Sequence, residues 1–244
     1  MLTVEAPNRD RLSILSLAEC DRIAERVHAL RPYWTSRAAG EAPFFTLGAA
    51  SYLDASPQGD TRYRAMASEL NPILSEAFGE LHATFRGAVE AHIGEPVIYD
   101  DTIALPGFHI FLADEVWGKS VASIHADRQY QNVDWSTYGS GDDVQGHRQL
   151  SITLSIDLPA GGAGLRLWDV NSLDVPKMSR EERKAALDAN RKPRFLPYER
   201  GKAVIHTGHL FHQIAPMPDM QPGEQRLTLQ AHALPTRRGW VLYW

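Results

Sequence analysis

A chain of 244 residues with 43% hydrophobic and 23% charged side chains is long enough to bury a full core and has the balance of a soluble globular protein. Its net charge of -5 argues against a general nucleic-acid or membrane surface, and Cys20, the single cysteine, excludes an intrachain disulfide or a cysteine-based zinc site. With no apolar run of about 18 residues and no basic-then-apolar leader, the expectation is a cytoplasmic protein acting on a small molecule, with neither nucleic acid nor membrane as partner.

The N-terminal part reads as helical. Ser16-Leu17-Ala18-Glu19 has the pattern of a capping box, Ile23, Val27 and Leu30 follow at helical spacing, and Pro32 stops the run. Residues 37–59 are rich in Ala, Gly, Ser and Pro and are expected to be irregular. A further helical region starts near Asp60, and Pro72 suits the first turn of a new helix. Leu74, Phe78, Leu81, Phe85 and Val89 form an apolar stripe that ends at Gly94, a pattern expected of a helix packed on a sheet.

From Pro96 the pattern changes to short β-like runs: 97–99, 108–112 and 121–125. The run 150–158 is the cleanest, with aliphatic side chains alternating with polar ones. Pro159 to Gly164 turns the chain, 165–170 returns, and Ser179-Arg180-Glu181-Glu182 opens a charged helix over 179–190. Strands resume at 202–206, 212–215, 227–233 and 240–244. Many short strands with turn signals between them predict a sandwich or barrel. The expected organisation is one domain, 1–244, with a helical support over 1–95 and a β core over 96–244.

Chemistry concentrates at His125-Ala126-Asp127. On an extended strand these two side chains share a face and lie roughly 6–7 Å apart along the backbone, close enough to hold one metal ion together. A second imidazole completes a two-His, one-carboxylate set with open positions opposite, the pattern of non-haem Fe(II) oxygenases. A chain with 10 histidines can produce a His-x-Asp triplet by chance, so the setting has to carry the argument. His206, His209 and His212 compete for the third position. His212 begins a strand that carries its side chain beside His125 and is preferred to His209, with His206 last. Arg226 and Thr228 share a face of the following strand, and a guanidinium fork with a hydroxyl beside it suits a carboxylate.

His125-x-Asp127, Gly201-Lys-Ala-Val-Ile, His212-Gln-Ile-Ala-Pro and Gly223-Glu-Gln-Arg226-Leu-Thr228 occur in the order that resembles the Fe(II)/2-oxoglutarate-dependent dioxygenases, over residues 96 to 234. The resemblance implies a mainly β fold with flanking helices around a double-stranded β-helix, the jelly-roll or cupin-like core. It implies His125, Asp127 and His212 on iron as the catalytic set. It also implies Arg226, helped by Thr228, on the distal carboxylate of 2-oxoglutarate, with O2 as the other cosubstrate. Pro106-Gly107-Phe108-His109-Ile110-Phe111, Gly162 to Asp169 and Leu229-Gln230-Ala-His232 look more narrowly like the branch of free amino acid halogenases and related hydroxylases. In the halogenases the carboxylate position is Gly or Ala. Asp127 therefore points to hydroxylation of an unactivated C–H bond, with release of succinate and CO2.

For the substrate, a small polar metabolite such as a free amino acid or derivative, the candidates are Arg128, Tyr130, Gln131 and Trp240. Trp117, Trp168 and Trp244 are further candidate walls, and His109 and His232 candidate supports of the site. The polar, aromatic stretch 129–147 is expected to act as a lid. Arg128 suits an anionic group on the substrate, or else an ion pair with Asp134, Asp142 or Asp143. Two other readings stand beside this one: a cupin-like metal enzyme that does not use 2-oxoglutarate, and a non-catalytic jelly-roll binding or sensing module.

Overall fold

The computed structural model describes residues 10–37, 42–119, 121–139, 143–175, 179–190 and 192–244. In chain order the first part contributes β1 (Asp10–Ser13), α1 (Leu17–Ala29), β2 (Thr35–Ser36), β3 (Phe44–Leu47), the single turn α2 (Ser51–Asp54) and the long α3 (Thr61–Ile93). There follow β4 (Val97–Ile98), β5 (Gly107–Leu112), β6 (Leu150–Asp157), β7 (Gly164–Asn171), α4 (Arg180–Asn190) and β8 (Arg194–Pro197). The chain closes with β9 (Lys202–Thr207), β10 (Leu210–Ile214), β11 (Gln225–Thr236) and β12 (Gly239–Tyr243). The large sheet runs β1-β9-β6-β11-β5-β3-β2, with β12 paired to the far half of β11 and β4 beside β12. A small sheet, β10-β7-β8, makes the other layer, and neither sheet closes on itself.

Side-chain parity decides what each face of the large sheet does, because successive residues of a strand point to opposite sides. Leu150, Ile152, Leu154 and Ile156 of β6, Leu227, Leu229, Ala231 and Ala233 of β11, and Phe108 and Ile110 of β5 share one buried cluster. Val27 of α1 and the α3 stripe Leu74, Phe78, Leu81, Phe85 and Val89 belong to the same cluster, so both helices pack on this outer face. Each Leu, Ile, Val or Phe among them contributes about 1.5–3 kcal/mol by leaving water. The alternate residues, among them Ser151, Thr153, His109, Phe111, Arg226, Gln230 and His232, line a cavity on the inner face. The polar half of β6 is therefore the wall of an interior and not an outer solvated face.

Local signals explain the helices. The Ser16 hydroxyl accepts from the Glu19 amide at 3.3 Å, and the Glu19 carboxylate accepts from the Ser16 amide at 2.7 Å, which closes the capping box. The same reciprocal pair joins Ser179 and Glu182 ahead of α4. Gly94 ends α3 in the left-handed region at φ 75, where its amide donates to Glu90.

Several expectations are corrected. Pro72 does not begin a new helix. It lies inside α3, and the break in helical geometry falls at Phe78 (φ -132, ψ 21). The segment 37–59 holds β3, whose Phe44-Phe45-Thr46-Leu47 pairs with β5. With β1 on β9 and β2 on β3, the part before residue 95 supplies three strands of the large sheet as well as helices. Residues 121–125 form no strand, and their one ladder contact is a bridge between His125 and His212.

Gly107 is the glycine that the inner face requires. A Cβ there would lie 2.4 Å from the Trp244 ring and 2.6 Å from the Leu47 carbonyl oxygen, and that backbone atom cannot step aside. We expect Gly107→Ala to destabilise the protein by about 1–3 kcal/mol through overpacking. Gly87 sits on the exposed side of α3 with open space around it. Gly87→Ala is expected to stabilise by about 0.5–1 kcal/mol, because Ala loses less backbone entropy in a helix. Urea midpoints of the two variants should move in opposite directions, and a shared sign would contradict the assignment of the Gly107 contacts.

Candidate metal site and its cavity

Two backbone hydrogen bonds place the imidazoles. The His125 amide donates to the His212 carbonyl at 3.0 Å, and the His212 amide donates to the His125 carbonyl at 2.8 Å. A pair that exchanges both bonds presents its side chains on the same face. The two rings accordingly lie 4.4 Å apart. Two residues on, the Asp127 amide donates to the Gly208 carbonyl at 2.7 Å, which keeps the segment extended and returns the carboxylate to that face. A Cβ at Gly208 would come within 3.2 Å of the Asp127 Cβ and 2.9 Å of the Gln149 side-chain nitrogen, so this turn leaves little room for a side chain.

His125, Asp127 and His212 each offer one ligand atom, and the three atoms lie within 4.8 Å of one another. His212 Nε2 is 3.4 Å from Asp127 Oδ2, and His125 Nε2 is 3.8 Å from Asp127 Oδ1. Adjacent ligands of an octahedral ion lie roughly 3 Å apart for bonds of about 2.1 Å, so the set closes on an ion with small movements. The tautomers are fixed as well. His125 Nδ1 donates to the Ser123 carbonyl and His212 Nδ1 to the Leu210 carbonyl, both at 2.8 Å, which leaves each Nε2 with its lone pair toward the shared point.

The carboxylate is held from behind. Ser151 Oγ donates to Asp127 Oδ2, His232 Nδ1 lies 3.3 Å from Ser151 Oγ, and the Gln129 amide lies 2.5 Å from His232 Nε2. Burial alone would raise the Asp127 pKa. The imidazoles of His212, His232, His125 and His206 outweigh it and hold the carboxyl below its ordinary range. Burial drives His212 the other way, toward the neutral ring. A carboxylate and a neutral imidazole are the forms that bind a metal.

The competing histidines separate clearly. His209 Nε2 donates to the Gly146 carbonyl at 2.8 Å, and its ring faces Tyr130, outside the cluster. His206 is closer. Its ring lies 4.7 Å from that of His212 and lines the cavity, while its Nδ1 donates to the Thr207 carbonyl.

Arg226 stands at the buried end of the same cavity, 1% exposed, with Phe111 and Tyr198 rings 5.1 and 5.3 Å from its guanidinium carbon. Its Nε and Nη1 are buried with no hydrogen-bond partner among the described residues. Burial lowers its pKa, yet a guanidinium stays protonated, so unpaired charged donors face the cavity at a cost of about 1–3 kcal/mol or more. Thr228 follows on the same strand face but does not line the cavity, and its hydroxyl oxygen accepts from the Gln230 amide at 2.7 Å. Its expected part in holding a carboxylate has no support in this arrangement.

Of the substrate candidates, Arg128 and Gln131 line the cavity and Tyr130 and Trp240 do not. Tyr130 packs on Gly146, whose added Cβ would fall 2.1 Å from its ring. Trp240 is 3% exposed within the outer-face cluster, under the Arg148 guanidinium. Trp117 and Trp168 belong to other core clusters, and Trp244 is the tryptophan that walls the cavity. The stretch after Asp127 is not free to act as a lid along its length. Val133, Trp135 and Tyr138 are packed with Tyr63 and Tyr243, and Arg64 donates to the Asp134 carbonyl. Residues 140–142, including Asp142, lie outside the described residues. Sequence reasoning missed Phe44, Tyr52 and Tyr198 altogether. For Ser151 the signal was present in the polar parity of β6, while His109 and His232, named from the sequence as candidate supports, line the cavity from β5 and β11.

Among solved structures, the chain resembles the N-substituted L-amino acid dioxygenase of Burkholderia ambifaria AMMD, over 97% of this chain and 86% of that one at 17% identity. The TM-score is 0.61 to that protein alone and 0.59 to its complex with alpha-ketoglutarate. The alpha-ketoglutarate-dependent epimerase SnoN from nogalamycin biosynthesis is similar over 95% of this chain and 82% of its own, at 12% identity and TM-score 0.52. No family model matches the chain, and no curated protein matches it. The likeness establishes the fold: a mainly antiparallel jelly-roll core of the kind found in non-haem, alpha-ketoglutarate-dependent enzymes. Among the described residues no helix is long and apolar enough to cross a membrane.

His125→Ala and His212→Ala are each expected to abolish tight Fe(II) binding, measured anaerobically by equilibrium dialysis, while His209→Ala retains the metal. Loss of iron from His209→Ala with retention by His212→Ala would overturn the assignment.

Proposed function

We propose that the protein is an Fe(II)/2-oxoglutarate-dependent oxygenase that hydroxylates an unactivated C–H bond of a small polar metabolite. The observation that carries this reading is Arg226. A buried guanidinium that meets Tyr198 but whose Nε and Nη1 have no partner among the described residues, in the same cavity as a two-His, one-carboxylate set, calls for an anionic partner that enters from outside. A dicarboxylate that reaches the metal with one end and Arg226 with the other meets that need. A metal enzyme that does not use 2-oxoglutarate leaves the Arg226 charge without a purpose.

His125, Asp127 and His212 would hold the iron, which supplies oxidative decarboxylation of 2-oxoglutarate to succinate and CO2 coupled to oxidation of the substrate by O2. The chain's own residues do the rest. Ser123 and Leu210 carbonyls orient the two imidazoles, and Ser151 orients the carboxylate. Phe111 and Tyr198 wall the guanidinium off from water, which strengthens its hold on a carboxylate. Asp127 occupies the position that is Gly or Ala in the halogenases, and this supports hydroxylation as the outcome. The structural relative named for N-substituted L-amino acids supports an amino acid derivative as the substrate class.

Screening small metabolites for stimulated succinate formation, with mass detection of a product heavier by one oxygen atom, tests the reading directly. Arg226→Gln is expected to raise the KM for 2-oxoglutarate by about 30- to 1000-fold, the equivalent of about 2–4 kcal/mol from losing a charge-assisted fork. An unchanged KM would show that another group holds the cosubstrate.

A further inference from the structure

The charges that face the cavity are few. Among the described residues that line it, the only acid is Asp127 and the only guanidinium or ammonium groups are Arg128 and Arg226. The reading proposed above assigns two of these three. The formal charges of Fe(II), of both 2-oxoglutarate carboxylates, of Asp127 and of Arg226 cancel among themselves, and the charge that remains is Arg128.

Arg128 is placed to use it. The chain is extended through Asp127, and continued alternation would turn the next side chain away from the metal. The extended run ends there: Arg128 has φ -125 and ψ 9 and opens the 3-10 turn 129–132, which leaves its side chain exposed and lining the cavity. Among the described residues its guanidinium makes no hydrogen bond or ion pair, and the Asp134 carboxylate accepts from the Ser136 amide instead. On the same turn, Gln131 and Asn132 present amide side chains to the cavity, and the Gln131 side chain makes only a long 3.5 Å contact with Tyr130 among the described residues. Amides give and accept hydrogen bonds without adding charge.

We infer that the substrate is a monoanion without a cationic group: a carboxylate held by Arg128, joined to a neutral polar part met by Gln131 and Asn132. This rests on the proposed function and narrows it. A zwitterionic amino acid would bring an ammonium group beside the Arg128 guanidinium in a cavity that has no acid left to receive it, an unfavourable approach of like charges. An amino acid whose nitrogen is acylated, or a hydroxy acid, carries the right charge. The cavity, about 680 Å³, has the size of a site for two small molecules side by side.

Four probes built on one skeleton separate the charge states: N-acetyl-L-leucine, L-leucine, L-leucinamide and N-acetyl-L-leucinamide, repeated with the phenylalanine and glutamine skeletons. Binding is read by saturation-transfer NMR on protein loaded with Zn(II) and 2-oxoglutarate, so no turnover is needed. The expected order has the monoanion ahead of zwitterion and cation by on the order of tenfold to a hundredfold. In Arg128→Glu the order reverses in favour of the amide cation, a within-variant ratio that partial misfolding does not produce. The inference is overturned if the zwitterion binds as well as the monoanion, if Arg128→Glu keeps the wild-type order, or if none of the probes binds. Titration of 2-oxoglutarate into the same wild-type sample isolates the underlying reading. Absence of that binding defeats the proposed function itself, whereas its presence without the charge order defeats only the substrate inference.

Discussion

The reciprocal backbone hydrogen bonds between His125 and His212 are the constraint on which the rest depends. They are local in cost, two amide–carbonyl pairs at 3.0 and 2.8 Å, but they decide the separation of both imidazoles at once. Each such bond has a net worth of about 0.5–1.5 kcal/mol. That is enough because the segment on the His125 side has no other ladder contact to contradict it, while β10 on the His212 side is fixed by β7. The third member of the group follows by the same logic, with Asp127 tied to the Gly208 carbonyl just beyond β9. Three side chains that could hold a metal ion, from two stretches remote in sequence, are thus registered by backbone pairing.

The cavity beyond it carries an unfavourable term. Arg226 is buried with unpaired donors, and the ordinary remedy, an acidic side chain within reach, is missing among the lining residues apart from Asp127. Compare the Arg37–Asp54 pair, whose bidentate contacts at 2.6 and 2.7 Å satisfy a partly buried guanidinium. One arginine is complete within the fold and the other is left open. Under the proposed function, binding free energy from an entering carboxylate would offset what folding leaves uncompensated at Arg226.

Much of this was legible from residue order, and the failures have physical causes. The caps at Ser16 and Ser179 and the α3 stripe could be read because each depends on contacts within one turn or one face. The alternation of β6 gave a strand but not the meaning of its polar face, since a period of two does not say which side holds water. β3 was hidden because four residues in a Gly- and Ala-rich stretch earn their structure from pairing with β5, a partner more than 60 residues away. The segment 121–125 erred in the opposite sense. Its β-like composition is overruled by the absence of a neighbour, and only His125 finds one. Tyr130 and Trp240 were chosen as polar-tipped aromatics near the site, but aromatics of that size are more often buried for area, and here the rings fill cores behind it. Trp244 could not be told from Trp240 by composition, yet Trp244 lines the cavity while Trp240 is buried in the outer-face cluster.

The two-faced use of β11 has a consequence for how such a protein changes over generations. Leu227, Leu229, Ala231 and Ala233 anchor the helices, while Arg226, Gln230 and His232 between them look into the cavity. Selection on persistence of the fold and selection on chemistry therefore act on interleaved positions of one strand, a single residue apart and back to back. Replacements at 230 can retune what the cavity accepts without loosening the layer that keeps the chain folded. Drift among the aliphatic positions can alter robustness without touching the cavity. A mutational scan of this strand would register both pressures as a signal of period two, and a lineage can travel far in substrate range while its architecture stays still.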